Sequence, residues 1–534
     1  MNKWKSLGVV LMVGALALTA CGNVEAVDGG GDSTQKQEEV AEELATESTI
    51  AQEQTVESVA GKKGDEKEVS TKNLESAIAK VENVNLTYYV NPEILTEPLA
   101  AAKALLEQEE LTQEAVDEAC QALNAAYQQL DDGCDLPEPI TFTYQDNITD
   151  PYVMLDGTTI TDPEDWQKRA EELSEMYQYY MYGVWRDGSD EEVTYDYNDN
   201  RLTIHIKRIS TGAETSFTAT VGLPDKSKEA PKGGYPVVVG MHAGISESTA
   251  HENGFATITL DGFGHPVASD DTSHKGAFYD LYPYGSHWKE QTGVLMAWSW
   301  GCCKILDALE AGAGKELNID STNSIVTGVS RWGKATIVCG AFDKRFRMVA
   351  PSCSGAGGTA LFRYVSEGNT YDFSSKGGPA AYTYTQNEPL GSLQAMGERG
   401  WFNNKFLSFK SARSLPFDQH LLSSLVADED RYLFIIGSCV SEDWVNAPAM
   451  WFSYLATKEI YDFLGISDNI KINIHKEGHA VIPEDMEYMT QYFSQKVYGT
   501  IPESDLSVLD TSVFDLDVNK DPIWDTFTDT WTIK

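Results

Sequence analysis

The chain has 534 residues, 42% hydrophobic and 10% aromatic, with a formal net charge of −42. That length suffices for two or three globular domains. The charge excludes nucleic acid and acidic polymers as charge-bound partners, because their anions would be repelled, and it suits the surface of a soluble exported protein.

Lys3 and Lys5 precede an apolar run from Leu7 to Leu18 that ends in "LTAC" at Cys21. A basic start followed by a short apolar core marks an export signal, since a membrane span needs ~20 residues. Thr19-Ala20-Cys21 resembles the bacterial lipobox, in which the cysteine is lipidated and becomes the mature N-terminus. Residues 1–21 are therefore expected to be a lipoprotein signal peptide. Cys21 would hold the protein at the extracellular face of the bacterial cell membrane. Residues 22–70 carry 13 acids, four lysines and no aromatic. Such a stretch buries too little surface to offset its ordering entropy and reads as an acidic disordered linker.

Residues 71–132 change to a helical pattern. Val116, Ala119, Leu123, Ala126 and Leu130 recur at steps of three and four, with Thr112 as N-cap and Glu114 and Asp117 in the first turns. "NLESAIAKV" and "PLAAAKALLEQ" give two further helices. The segment resembles the FIVAR-type three-helix modules of bacterial surface proteins. That resemblance implies a glycan or cell-wall contact; a plain spacer bundle is the other reading. "GCDLPEPI", Gly133 to Ile140, is a proline-broken linker.

Residues 133–534 read as one α/β domain. "YPVVVGMHAG", "SIVTGVS", "FRMVAPSCSG" and "RYLFIIGS" are buried-type strands, separated by helical patterns such as "TGVLMAWSWGCCKILDALEAG". The alternation predicts a mostly parallel sheet between helical layers, a three-layer sandwich with its chemistry at the carboxyl ends of the strands. The eight cysteines include no C-x-x-C pair and no Cys/His cluster, which argues against a zinc site; no metal or cofactor is expected. Cys120 and Cys134 are the candidates for a disulfide.

Ser330 stands in "TGVSRWGKA", directly after a strand and before a helix. Gly328-Val329-Ser330-Arg331-Trp332-Gly333 spells G-x-S-x-x-G, whereas the common nucleophile elbow spells G-x-S-x-G. A serine nucleophile needs a base within hydrogen-bond reach and an acid to orient that base. The α/β-hydrolase order is serine, acid, histidine. Of the three later histidines, His479 follows a glycine at a late strand end and is the candidate base. His475 lies inside the strand pattern and His420 begins a helix. Glu442 and Asp443 follow the strand "FIIGS", and either can be the acid. Arg331 and Lys334 put two cations beside the nucleophile, which suits an oxygen-rich acyl group better than an apolar one.

"GVSRWGKA" is similar to the G-C-S-R-x-G-K-[GA] signature of the glucuronoyl esterases, carbohydrate esterase family 15. "RFRMVAPSCSGAGG", "GERGWFNNKF", "SLPFDQHLLSSLVA", "SEDW" and "EGHA" follow in the family's order, across roughly residues 234–498. The resemblance implies an α/β-hydrolase serine esterase without metal. Its substrate would be the ester between 4-O-methyl-glucuronic acid on xylan and a lignin alcohol. Carried over by motif, Ser330 is the nucleophile and His479 the base. Arg331 assists the oxyanion with its side chain and backbone N–H. Lys334 and Glu398 bind sugar hydroxyls, and Trp444 packs on the sugar. Many members carry the acid in "P-x-E-S-G"; here that segment is Pro351-Ser352-Cys353-Ser354-Gly355. Some bacterial members place the acid after the later strand instead, which would be Glu442, with Asp443 as substitute. The alternatives are another carbohydrate esterase, of acetyl xylan esterase type, and a degenerate glycan-binding surface lipoprotein.

Overall fold

The computed structural model describes residues 69–242, 244–514 and 531. The signal peptide, Cys21 and nearly all of the acidic linker fall outside them. Three helices open the described chain: α1 (Lys72–Glu82), α2 (Thr96–Leu106) and α3 (Gln113–Gln128). They close on a small core of Leu74, Ile78, Val81, Leu95, Ala102, Val116 and Leu123. Thr112 caps α3 by accepting the N–H of Ala115 at 3.2 Å, as the sequence expects. The bundle rests on the larger domain through Tyr88, whose ring stacks on His287 with centroids 5.1 Å apart. Asn85 also donates to Glu290 at 3.1 Å.

The large domain is built on nine strands: β1 (Glu191–Asn198), β2 (Arg201–Arg208), β3 (Glu214–Gly222), β4 (Tyr235–Gly240), β5 (Ala256–Leu260), β6 (Ile319–Val329), β7 (Met348–Ser352), β8 (Tyr432–Ser438) and β9 (Ile470–His475). Their order across the sheet is β1-β2-β3-β5-β4-β6-β7-β8-β9. β1, β2, β3 and β5 pair antiparallel; from β5 through β4 to β9 every pairing is parallel. The sequence pattern found β4, β6, β7, β8 and β9. It did not single out β5 or β1–β3; β2 and β3 alternate buried apolar with exposed residues, and β1 is the edge of the sheet.

The buried strands are apolar throughout because both of their faces are covered. Val237, Val239, Leu433 and Ile435 point into the main core, where helices α4 (Val294–Ala308), α5 (Arg331–Phe342) and α6 (Ala447–Phe463) pack. Val238, Phe434 and Ile436 point to the opposite face, closed by Met486, Met489 and Phe493 of α7 (Pro483–Tyr498). The period-two alternation of the strands thus sorts one set of side chains between two helical layers. The seven described cysteines are free thiols, so Cys120 and Cys134 are not paired. Among the described residues no helix is long and apolar enough to cross a membrane.

Candidate active site

The turn between β6 and α5 holds Ser330 at φ 64°, ψ −126°, a conformation that non-glycine residues rarely adopt. The Ser330 N–H donates to the Ser352 carbonyl at 3.0 Å, and the Lys334 N–H donates to the Ser330 carbonyl at 2.9 Å. The two flanking glycines explain the unusual spacing. A Cβ on Gly333 would lie 2.4 Å from the Ser352 carbonyl oxygen, and one on Gly328 would lie 2.8 Å from that of Trp332. The first turn of α5 therefore presses against the end of β7, and only glycine fits there. Arg331 is the first helical residue, so its backbone N–H has no intrahelical partner and lies at the positive end of the helix dipole.

The loops after β8 and β9 meet at the same carboxyl end of the sheet, with β7 between them and the β6 turn. Glu442 is 1% exposed. Its Oε1 accepts the Ser438 N–H at 2.8 Å, and its Oε2 lies 2.7 Å from His479 Nδ1. A carboxylate can only accept, so Nδ1 carries a proton, and in the neutral imidazole the lone pair is then on Nε2. The Gly478 N–H bonds Ser438 Oγ at 3.0 Å and fixes the His479 loop to the end of β8. Trp444 is 38% exposed and tilts over His479 at 5.3 Å between ring centroids.

Asp443, the substitute acid in the sequence reading, is placed differently. Its Oδ1 accepts the Tyr382 hydroxyl at 2.7 Å, and its Oδ2 accepts the Thr385 N–H at 2.9 Å and the Thr385 hydroxyl at 2.8 Å. The two adjacent acids point apart, and Asp443 ties down the Tyr382–Thr385 segment instead of reaching His479. His475 is buried against the Ala480 carbonyl at 3.1 Å, and His420 is buried against that of Thr149 at 2.9 Å. Both belong to the framework.

Lys334 also departs from the expectation of a free sugar-binding ammonium. It is 3% exposed, and its three N–H groups go to the carbonyls of Ser354 and Ala356 and to Glu388, at 2.7, 2.8 and 2.7 Å. A sugar hydroxyl would have to displace one of these. Glu388 had no sequence signal, because only the fold brings it to Lys334, 54 positions away. Glu398 is partly buried, and its Oε2 has no hydrogen-bond partner among the described residues. Burial first, then neighbouring Glu388, raise its carboxyl above the usual range. The Arg331 guanidinium binds Asp270 at 2.6 Å and lies over the Trp401 ring at 5.0 Å. Asp270 also accepts the Trp401 indole N–H at 2.7 Å, so the aromatic wall and the arginine share one anchor. On the other flank of the elbow, Phe263 is 51% exposed at φ 63°, and its carbonyl accepts the Trp332 indole N–H at 3.1 Å.

Cys353 follows β7 at φ 46° and is fully buried beside the Glu442–His479 pair. Burial, then the Glu442 charge, push its thiol well above the usual range, so it is neutral.

A family model described as glucuronyl esterase of fungi matches residues 206–465. The chain is 60% identical over 389 residues to a multidomain esterase of Ruminococcus flavefaciens, covering 72% of this chain and 50% of that protein. The chain thus spans half the length of that relative. It is 32% identical over 364 residues to a 4-O-methyl-glucuronoyl methylesterase of Hypocrea jecorina, covering 68% of this chain and 72% of that protein. Among solved structures it resembles a carbohydrate esterase family 15 glucuronoyl esterase from Caldicellulosiruptor kristjansonii. The TM-score is 0.64 at 40% identity, across 72% of this chain and 97% of that one.

Proposed function

The chain belongs to the glucuronoyl esterases, carbohydrate esterase family 15, and on that premise we propose that it is a serine esterase cleaving glucuronoyl esters of plant cell-wall xylan. The observation that carries the mechanism is the buried Glu442–His479 hydrogen bond, 2.7 Å long, at the strand ends beside the Ser330 elbow. Ser330 attacks the uronate carbonyl while His479 Nε2 takes its proton. Glu442 holds the imidazole in the required tautomer and stabilises the imidazolium that forms. The Arg331 N–H and the end of the helix dipole stabilise the tetrahedral oxyanion, assisted by the guanidinium that Asp270 positions. His479 then protonates the departing alcohol, and water releases the uronic acid by the same steps in reverse. The unpartnered Glu398 Oε2 is buried near the Lys334–Glu388 pair and meets a sugar hydroxyl only once its side chain turns outward, whereas the half-exposed Trp444 packs on the sugar.

The alcohol side is aromatic in character. Phe263 and Trp332 flank the elbow and suit a lignin-type alcohol as leaving group. On the same reading the chain is a lipoprotein held through Cys21 outside the cell membrane, and the three-helix bundle spaces the esterase domain from the surface or touches glycan. Benzyl and methyl esters of glucuronate, with an acetylated xylose run in parallel, test the substrate. Selective turnover of the glucuronates, lost in Ser330→Ala, is the expected result. Turnover of the acetyl ester alone would move the protein to the acetyl xylan esterase class.

A further inference from the structure

The Glu442–His479 pair has a neighbour that hydrolysis does not use. A thiol sulfur from Cys353, a carboxylate oxygen from Glu442 and an imidazole nitrogen from His479 lie within 4.8 Å of one another. They come from the ends of β7, β8 and β9, three adjacent strands, so no short ligand motif marks them in the sequence. The sulfur lies 3.8 Å from the Ala480 carbonyl and 3.6 Å from the Ser352 hydroxyl, and its thiol also faces the Glu442 carboxylate. Its backbone is nonetheless fixed in the left-handed region, with the Cys353 N–H bonded to the Ile436 carbonyl at 2.8 Å.

We propose that Cys353, Glu442 and His479 form an inhibitory site for Zn²⁺. One sulfur, one nitrogen and one oxygen are a donor set that zinc accepts, with three protein ligands and a fourth position left to water. Zinc bonds of about 2.0–2.3 Å bring tetrahedral ligands to roughly 3.3–3.7 Å from one another. The widest separation, at most 4.8 Å, therefore has to close by about 1 Å, and the 2.7 Å contact from His479 to Glu442 has to open. His479 is 27% exposed at the side chain, and its loop gives the ion its way in.

The proton balance explains the inhibition. The Cys353 thiol releases one proton to solvent as its sulfur binds. The His479 proton leaves Nδ1, which binds the metal, and the neutral imidazole carries it on Nε2 instead. Nε2 then has no lone pair for the Ser330 proton, and Glu442 no longer orients the ring. The base is switched off with Ser330 untouched. The inhibition rests on the proposed hydrolysis; the metal binding does not.

The test uses the full chain in two arms. Co²⁺, a spectroscopic substitute for zinc, is titrated into the wild type and into Cys353→Ser, with Cys353→Ala as a second variant should the serine not fold. Every other cysteine is common to all three, so a thiolate-to-cobalt absorption band present only in the wild type locates the sulfur ligand. In the second arm Zn²⁺ inhibits glucuronate ester hydrolysis and a chelator restores it. Loss of the thiolate ligand is expected to raise the inhibitory concentration at least about 10–100-fold, the range seen when even an outer partner of a metal ligand is removed. Identical cobalt spectra in wild type and variant would overturn the proposal whether or not the enzyme turns over. Equal zinc sensitivity in wild type and variant would also overturn it.

Discussion

Two neighbouring strand ends face the same histidine. The end of β7 presents Cys353, and the end of β8 presents Glu442. The first is a buried neutral thiol; the second is a buried carboxylate that already bonds His479 Nδ1 at 2.7 Å. Parallel strands that pair side by side deliver their carboxyl ends to one place, so an orienting acid can stand on either without moving the base. The difference teaches that the sheet sets the geometry of the site, whereas the residue at each strand end decides what that position can do to the histidine.

Removing the acid gives the largest effect. Glu442→Ala is expected to lower kcat by about 10⁴-fold with KM little changed, as for loss of the orienting acid in a serine triad. Raising the pH offers no rescue. A substitute charge from Cys353 would require its thiolate, and desolvation holds that thiol neutral beyond its ordinary 9.0. A kcat that climbs back between pH 7 and 9 would show that the two strand ends are less different than their burial implies.

Returning a carboxylate to the other strand end sharpens the comparison. Cys353→Glu in the Glu442→Ala background is expected to recover about 10²-fold of the lost kcat, short of full recovery because a newly buried carboxylate is poorly solvated. No recovery, in a protein shown by circular dichroism to be folded, would restrict the orienting role to β8.

Asp443 tests how local the distinction is. It adjoins Glu442, yet both its oxygens serve Tyr382 and Thr385. Asp443→Asn should cost about 1–3 kcal/mol of stability through those bonds, read as a lower Tm, and change kcat by less than about 10-fold. A loss of activity as large as that of Glu442→Ala would make the two acids equivalent.

Much of this was legible in the chain. Five of the nine strands announce themselves as strand-like runs, and Ser330, His479 and Glu442 stand where runs end. The parts that were not legible are long-range. Asp443 and Glu442 differ by one position, and only the turn of the loop decides which reaches His479. Lys334 lies in the first turn of the helix that follows Ser330, but its engagement with Glu388 depends on a loop 54 residues away. Asp270 anchors both Arg331 and Trp401 from a segment without any motif. β2 and β3 bury only one face, so Leu202, Ile204, Ile206, Phe217, Ala219 and Val221 stand singly among polar residues and form no apolar run, and β1 at the edge has no buried residue.

The smallest effect is the most informative about β7. If Glu442 alone orients His479, the thiol contributes packing and nothing to turnover. Cys353→Ala removes one buried sulfur from a site with no exposed surface, which costs about 1–2 kcal/mol through the small cavity left behind. The kcat/KM should stay within about 3-fold of wild type, because the 2.7 Å contact between Glu442 and His479 has its own support in the Ser438 N–H and does not pass through the sulfur. A Tm that falls while kcat/KM holds would separate packing from chemistry at this strand end. A kcat that falls tenfold or more would mean that the thiol packs Glu442 into its orienting position, and the two strand ends would then act as one unit.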